Sequence, residues 1–365
     1  MNRVIDDHAH PFPLTTAALD HTAVTLDIAS GPVADHRRRE LGWGRMSTEM
    51  LQVRLARYFG CQVSELAAAR GEAAADWQKY VSGLFADAGV TGMLMDPGSE
   101  SFPTADRVAP YAELAGVSMW ELVRIEPLVD RLIAAGAQAV EILDAVDALL
   151  ESAAARGAVG VKTVVAYRTG LAVDPDVGLD AAEQSLLGAL PIRRRGKAFR
   201  DLLFRRLLGR CADLGLPLQV HTGFGDSELR LGEANPMLLD EVLRTPEGEA
   251  ARVVLLHGGF PWHEEVAYLA SVRAHVWAEF SLSNLFSPAT TADRLLRLLD
   301  LAPTGRITVG SDGHGLPETH WFALGILRDA WSVIRERLNT VVRVSWLEDV
   351  ERNIFGDNAR SLYRL

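Results

Sequence analysis

Val4-Ile5-Asp6-Asp7-His8-Ala9-His10 is a short run of strand character that exits into two histidines, and its shape recurs along the chain. Leu218-Gln219-Val220-His221 and Val253-Val254-Leu255-Leu256-His257 also end on histidine, and Ile307-Thr308-Val309-Gly310-Ser311-Asp312 runs into an aspartate. Working outward from these, eight strands are predicted, near Val4–His8, Gly92–Asp96, Glu121–Ile125, Val159–Val165, Leu218–His221, Val253–His257, Val276–Phe280 and Ile307–Gly310. Between them the apolar residues return at intervals of three and four, the period of one helix face. In Phe199–Leu214 the stripe is Phe199, Leu202, Leu203, Leu207, Cys211 and Leu214. Several strands are apolar nearly throughout, which suits parallel strands buried on both faces. Strands alternating with helices through right-handed crossovers predict an α/β fold that closes into a (β/α)8 TIM barrel. A doubly wound sheet competes, but no strand is followed by a G-x-G-x-x-G or Walker sequence.

The chain has 365 residues, long for a minimal barrel. Two connections carry the excess: a helical insertion after strand 1, about 35–88, and a second loop and helix insertion at about 168–200. Neither is flanked by a flexible linker, so the expectation is one decorated domain over 1–365. Both insertions leave the C-terminal ends of strands, where a barrel builds pocket walls, lids or subunit contacts, so a homo-oligomer is allowed. Trp43 and Trp77 are expected in a small helical core of the first insertion. Lys+Arg number 37 against 48 Asp+Glu, a formal charge of −11, which disfavours nucleic acid and anionic membrane as partners. Eight basic residues between Arg193 and Arg210 face one acid, Asp201, and read as the solvated back of an amphipathic helix. No apolar run is long enough to span a bilayer, and the first ten residues lack a signal core. Cys61 and Cys211 stand far apart with no C-x-x-C spacing, so a reducing, cytoplasmic setting is expected.

The ends of the strands carry the chemistry. Residues i and i+2 point to the same side of a strand, so His8 and His10 converge at the barrel mouth. His221, His257 and Asp312 end or follow strands 5, 6 and 8. A single histidine at a strand end is commonly a hydrogen-bonded core residue; four with an aspartate on one face of one barrel point to a metal. Imidazole and carboxylate suit Zn, Mn, Fe or Ni. Lys162 lies in the fourth strand, where an isolated ammonium is costly to bury. It is either converted by CO2 to a carbamate, an anionic ligand able to bridge two metals, or held by a carboxylate, or used to bind substrate.

The stretches Asp7-His-Ala-His-Pro, Val161-Lys-Thr-Val-Val-Ala-Tyr-Arg-Thr-Gly-Leu, Gln219-Val-His-Thr-Gly-Phe-Gly-Asp, Leu256-His-Gly-Gly-Phe-Pro and Ser311-Asp-Gly-His-Gly resemble the amidohydrolase superfamily. The resemblance is strongest to the amidohydrolase-related branch that also occurs fused to, or encoded beside, glutamine-synthetase-like proteins. The tail Asn353-Ile-Phe-Gly-Asp-Asn-Ala-Arg-Ser-Leu-Tyr is similar to that branch's last helix, and the likeness covers nearly the whole chain. It implies a distorted TIM barrel with one or two divalent ions, zinc foremost. With two, His8, His10 and Asp312 would hold one ion, His221 and His257 the other, and carboxylated Lys162 would bridge. With one, His8, His10, His221 and Asp312 would be the ligands, and His257 would polarise the substrate.

The expected reaction is hydrolysis of an amide or related C–N bond in a small carboxylate-bearing substrate, which family context extends to γ-glutamyl amides. Asp312 is the expected general base, returning its proton to the leaving nitrogen. Tyr167, Arg168 and His314 are the expected substrate-binding residues, with the Arg168 guanidinium suited to a carboxylate. Asp226, Trp262 and His263 sit in loops that could line the pocket, and His21, His36, His275 and His320 have no placement that recommends them. Two alternatives stand beside this: a metal-dependent decarboxylase or lactonase on the same barrel, and an inactive barrel serving as a binding module.

Overall fold

All eight expected strands are present in the computed structural model, which describes residues 3–16, 26, 44–98 and 107–365. They are β1 Val4–Ala9, β2 Val90–Met95, β3 Ser118–Arg124, β4 Gly160–Thr163, β5 Leu218–Val220, β6 Val253–Leu255, β7 Val276–Phe280 and β8 Ile307–Val309. Each pairs in parallel with the next in chain order. The ring closes where Asp312 N–H donates to His8 O at 2.9 Å and His10 N–H donates to Gly313 O at 2.9 Å. The fold is a (β/α)8 TIM barrel.

The barrel interior is layered. Ile5, Leu94, Leu122, Val254, Leu256 and Trp277 fill its lower part, and Leu362 and Tyr363 of the last helix, Asn358–Tyr363, pack against them. Full burial of each such aliphatic side chain contributes about 1.5–3 kcal/mol. The helices form the outer shell, and their apolar stripes merge with the outward faces of the strands into one continuous core.

The first insertion is helical as expected, although 35–43, including Trp43 and His36, lie outside the described residues, as does His21. Helices run over Met46–Phe59, Leu66–Ala73 and Trp77–Asp87. The helical path is broken at Ala74–Asp76, where the Asp76 carboxylate accepts from Lys79 N–H at 3.1 Å and starts a new helix. Trp77, Tyr80 and Phe59 form the expected small aromatic core, with Tyr80 stacked on Phe59 at 5.7 Å. Arg70 Nε and Tyr80 Oη both donate to Glu318 Oε1, at 2.5 and 2.8 Å, and so tie the insertion to the helix Pro317–Leu338 behind β8.

The basic helix Lys197–Leu214 departs from the sequence reading. Three of its five cations are paired across to acids on other helices rather than simply solvated. Arg206 reaches Asp147 at 2.5 Å, Arg210 meets Glu151, and Arg200 is buried against Asp130 at 2.7 Å. The acidic neighbours come from two earlier helices, Glu126–Ala134 and Ala139–Ala155, which sequence spacing alone does not bring alongside. No helix among the described residues is long and apolar enough to cross a membrane.

Candidate metal centre

Five of the eight strand exits send a ligand-type side chain to the C-terminal mouth. On β1 the pairing register shifts between Asp6 and Ala9. His10 Nδ1 lies 3.0 Å from the carbonyl oxygen of Asp96, which can only accept, so Nδ1 carries a proton and the neutral ring presents its lone pair at Nε2. His8 Nδ1 lies 2.8 Å from Gln219 Oε1, and the other end of that amide donates to Asp7 O and Tyr363 Oη, so His8 Nε2 is bare as well. Both bare nitrogens point at one atom, Asp312 Oδ1, at 3.4 and 3.3 Å. That oxygen is buried and has no hydrogen-bond donor among the described residues. Three electron pairs thus converge, and the one donor that reaches any of them among the described residues is the Lys162 ammonium, at His8 Nε2; a cation satisfies such an arrangement.

The second pair is built in the same way. Ser281 Oγ donates to Glu279 Oε2 at 2.7 Å and so accepts from His257 Nδ1 at 2.8 Å, leaving His257 Nε2 bare. His221 Nδ1 sits 3.0 Å from that nitrogen, and His221 Nε2 is buried without a partner. One ligand atom from each of His8, His257 and Asp312 lies within 4.8 Å of the other two, and the same holds for His8, His10 and Asp96. Burial pushes His8 and His221 well below their ordinary values and His257 down to about 3, so all three are neutral, ligand-competent imidazoles at pH 7. The residues present therefore fit a divalent ion.

The backbone is strained where these side chains are delivered. His257, Leu282 and Asp312 adopt left-handed φ values of 66°, 53° and 49°, at the exits of β6, β7 and β8. Non-glycine residues there cost on the order of 1–3 kcal/mol and need outside support. His257 N–H finds it at Glu279 Oε2, 3.0 Å away, and Asp312 N–H at His8 O.

Lys162 is buried on β4, with Nζ 3.2 Å from His8 Nε2. Burial and the Arg124 guanidinium push its ammonium down to about 8. Arg124 stands directly opposite Lys162 in the β3–β4 register. The Arg124 side chain is held by Asp96, at the exit of β2, through Nε at 3.1 Å and through Nη2. Neither Arg124 nor Asp96 was singled out from sequence. The signal was available: each is a charged residue at the end of an apolar strand run, the cue that picked out Lys162.

Above the cluster opens a cavity of about 500 Å³. The structure brings all six expected ligands together beneath or around it, and Tyr167, Arg168 and His314 line it. Tyr167 presents its ring to the His221 ring, 4.7 Å between centroids, and its hydroxyl accepts from Asp226 N–H at 3.1 Å. Arg168 is buried rather than superficial, with Nε and Nη2 on Asp130 Oδ2 at 3.0 and 2.9 Å. His314 Nδ1 lies 2.9 Å from Asp312 O. Asp226 lines the cavity too, whereas His263 packs beneath the mouth with Nδ1 on Gly258 O. His320, unremarkable in sequence, is fully buried 3.2 Å from Ser311 Oγ and 3.9 Å from Asp6 Oδ2, directly behind the Asp312 loop. Phe224, Leu282 and Phe286 are further lining residues that sequence reasoning missed.

A parallel barrel with histidines and an aspartate converging at its C-terminal mouth is the architecture of the metal-dependent TIM-barrel superfamily. Residues 5–365 match the amidohydrolase family, and the chain belongs to that family. A protein from Lactobacillus casei ATCC 334, described as a metal-dependent hydrolase, superposes with a TM-score of 0.85 at 22% identity over 100% of this chain and 96% of its own. Glucuronate isomerase from Caulobacter crescentus shares the fold at TM-score 0.69 and 15% identity, over 99% of this chain and 91% of its own. Protein fluG of Emericella nidulans is 34% identical over 190 residues, which is 47% of this chain and 21% of that protein, so the match spans about a fifth of the relative's length.

Proposed function

We propose that the protein is a metal-dependent hydrolase that cleaves an amide or related C–N bond of a small carboxylate-bearing substrate, γ-glutamyl amides being the first candidates. The observation that carries this reading is the convergence of the bare His8 and His10 Nε2 atoms on the donor-free Asp312 Oδ1, beside a second buried, unpartnered imidazole nitrogen on His221. His8, His10 and Asp312 would hold one ion, and His221 and His257 a second, zinc being the metal that best suits this donor set. Such an ion, when bound, lowers the pKa of water towards 7 and polarises a carbonyl. Lys162 would join the ligands as its carbamate. Among the described residues its one hydrogen-bond contact is His8 Nε2, so as an ammonium it would occupy a lone pair the ion needs, and as a carbamate it would release that lone pair and add an anionic oxygen ligand.

The protein's own part is positioning and proton handling. Asp312 takes the proton of the attacking water and returns it to the leaving nitrogen. The hydrogen bond from Asp312 N–H to His8 O holds the backbone that carries that carboxylate. His257 is held in one tautomer by Ser281 and Glu279, so its Nε2 faces inward. Tyr167 and His314 line the substrate's path, and Arg168 offers it a cation.

The test is metal content of protein purified without chelator, followed by amine release from a panel of γ-glutamyl and N-acyl amides. Stoichiometric metal with amine release supports the reading. Stoichiometric metal with CO2 release from aromatic acids and no amine would replace it with decarboxylation, and absence of bound metal would replace it with a binding module.

A further inference from the structure

The cavity has two chemically different sides. On the β3–β4 side stand Arg124 and Arg168, each side chain about nine-tenths buried. Both guanidiniums are gripped along the same edge: Asp96 takes Nε and Nη2 of Arg124, and Asp130 takes Nε and Nη2 of Arg168. Asp96 is itself fixed by Gly98 N–H at 2.9 Å, and Asp130 by Arg200 at 2.7 Å. This leaves Nη1 of each arginine without a hydrogen bond among the described residues, on two side chains that line the cavity. Nothing in the barrel's packing calls for two such cations: a buried ion pair contributes little net stability against an apolar replacement of the same volume. Two immobilised guanidinium ends are a ready receptor for a planar anion.

In a closed ring of eight strands, β7 lies across from β3. Leu282 and Phe286 follow β7, and Phe224 follows β5. The Phe224 and Phe286 rings meet at 6.1 Å, and Phe286 continues to the His314 ring at 6.0 Å. This side of the cavity is an aromatic wall suited to a flat apolar group.

We propose that Arg124, seconded by Arg168, receives a carboxylate of the substrate, and that the Phe224–Phe286 wall receives an aryl or similarly flat group at the other end of the same molecule. The substrate class is then a carboxylic acid carrying an aromatic portion, with the bond to be broken lying between the two over the histidine cluster. The inference rests on the reading of this cavity as the substrate site; it does not rest on the reaction.

Binding to the intact, metal-loaded protein tests it with 4-phenylbutyrate, 4-phenylbutanamide and butyrate as probes, followed by calorimetry. Wild type is expected to bind 4-phenylbutyrate at least about tenfold more tightly than either of the others, as one charge-assisted contact and one buried ring each provide. Arg124→Met is expected to erase the preference for carboxylate over amide while leaving amide binding within about twofold. Phe286→Ala is expected to erase the preference for phenylbutyrate over butyrate. Should Arg124→Met fail to fold, Arg124→Gln, which keeps a polar contact for Asp96, gives the same reading. Equal binding of acid and amide by wild type overturns the proposal. So does a carboxylate preference that survives in the Arg124→Met, Arg168→Met double variant, because the anion receptor is then neither guanidinium. Failure of the amine-release panel with this binding pattern intact counts against the reaction alone.

Discussion

Two polar clusters stand one above the other inside the barrel, and both are buried. At the mouth, His8, His10, His221, His257 and Asp312 gather bare nitrogens and an oxygen that lacks a donor. One layer down, Asp7, Gln219, Glu279, Thr308 and Tyr363 form a plug supplied with protons. Gln219 donates to Asp7 O at 2.9 Å and to Tyr363 Oη at 2.8 Å, and Thr308 Oγ1 donates to Asp7 Oδ2. Burial pushes the Asp7 carboxyl up to about 7 and Glu279 well above its ordinary value, so this layer tends to keep its protons. Burial and polarity are common to both layers and therefore do not mark the site. The balance of donors against acceptors does: the unpartnered buried oxygens of the lower layer, Asp7 Oδ1 and Glu279 Oε1, belong to carboxyls that burial pushes towards the protonated form, whereas the upper layer turns lone pairs towards a cation and the cavity.

If that division is real, damage at the mouth removes activity and leaves the fold, whereas damage to the plug does the reverse. Asp312→Asn is the sharpest probe. The amide keeps one oxygen for the metal and loses the base, so kcat is expected to fall by about a thousandfold or more with most of the metal retained. Steady-state kinetics with metal analysis on the same preparation checks it; unchanged turnover would remove Asp312 from the mechanism.

Lys162→Ala comes next. If the carbamate bridges two ions, the variant loses about one ion per chain and about a hundredfold in kcat, and short carboxylic acids restore part of the loss by entering the vacated space. Full metal content in the variant rules out the bridge and assigns Lys162 to the cations that face substrate. Arg168→Met is gentler, because Arg124 remains: KM for anionic substrates is expected to rise about tenfold with kcat little changed. An equal rise for neutral amides would make the Arg168–Asp130 pair a structural clamp instead.

How much of this was legible in advance follows the same division. The eight strands and the five mouth residues could be read because each of those side chains sits at or just past the end of an apolar run, and a buried strand declares itself locally. Lys162 stood out as a charge inside such a run. Arg124 in Leu122-Val123-Arg124-Ile125 carries the same mark, and the arginine reads as a strand-end surface residue until the register places it beside Lys162. The aromatic wall was not legible, since Phe224 and Phe286 lie in loops whose meeting depends on the closure of the ring. The plug was invisible for a further reason. Gln219 reaches Tyr363 across 144 residues, and neither residue type announces a partner.

Tyr363→Phe is the smallest expected effect and the one that bears most directly on the comparison. The Tyr363 hydroxyl lies between Gln219 Nε2 and Asp7, and the ring packs with Ile5 and Leu122 in the lower apolar layer. Phenylalanine keeps the ring and leaves the Gln219 amide with one fewer acceptor in a dry interior. A stability loss of about 1–2 kcal/mol follows, read as a lower denaturation midpoint at unchanged m. The same amide orients His8 through its other end, at 2.8 Å, so the variant also measures how rigidly the plug supports the mouth. Gln219 still donates to Asp7 O, which fixes its orientation without the tyrosine, and kcat is therefore expected to change by less than about threefold. A fall in kcat approaching that of Asp312→Asn, with the midpoint unmoved, would mean that the two layers act as one proton-ordered unit and that the boundary drawn between them is false.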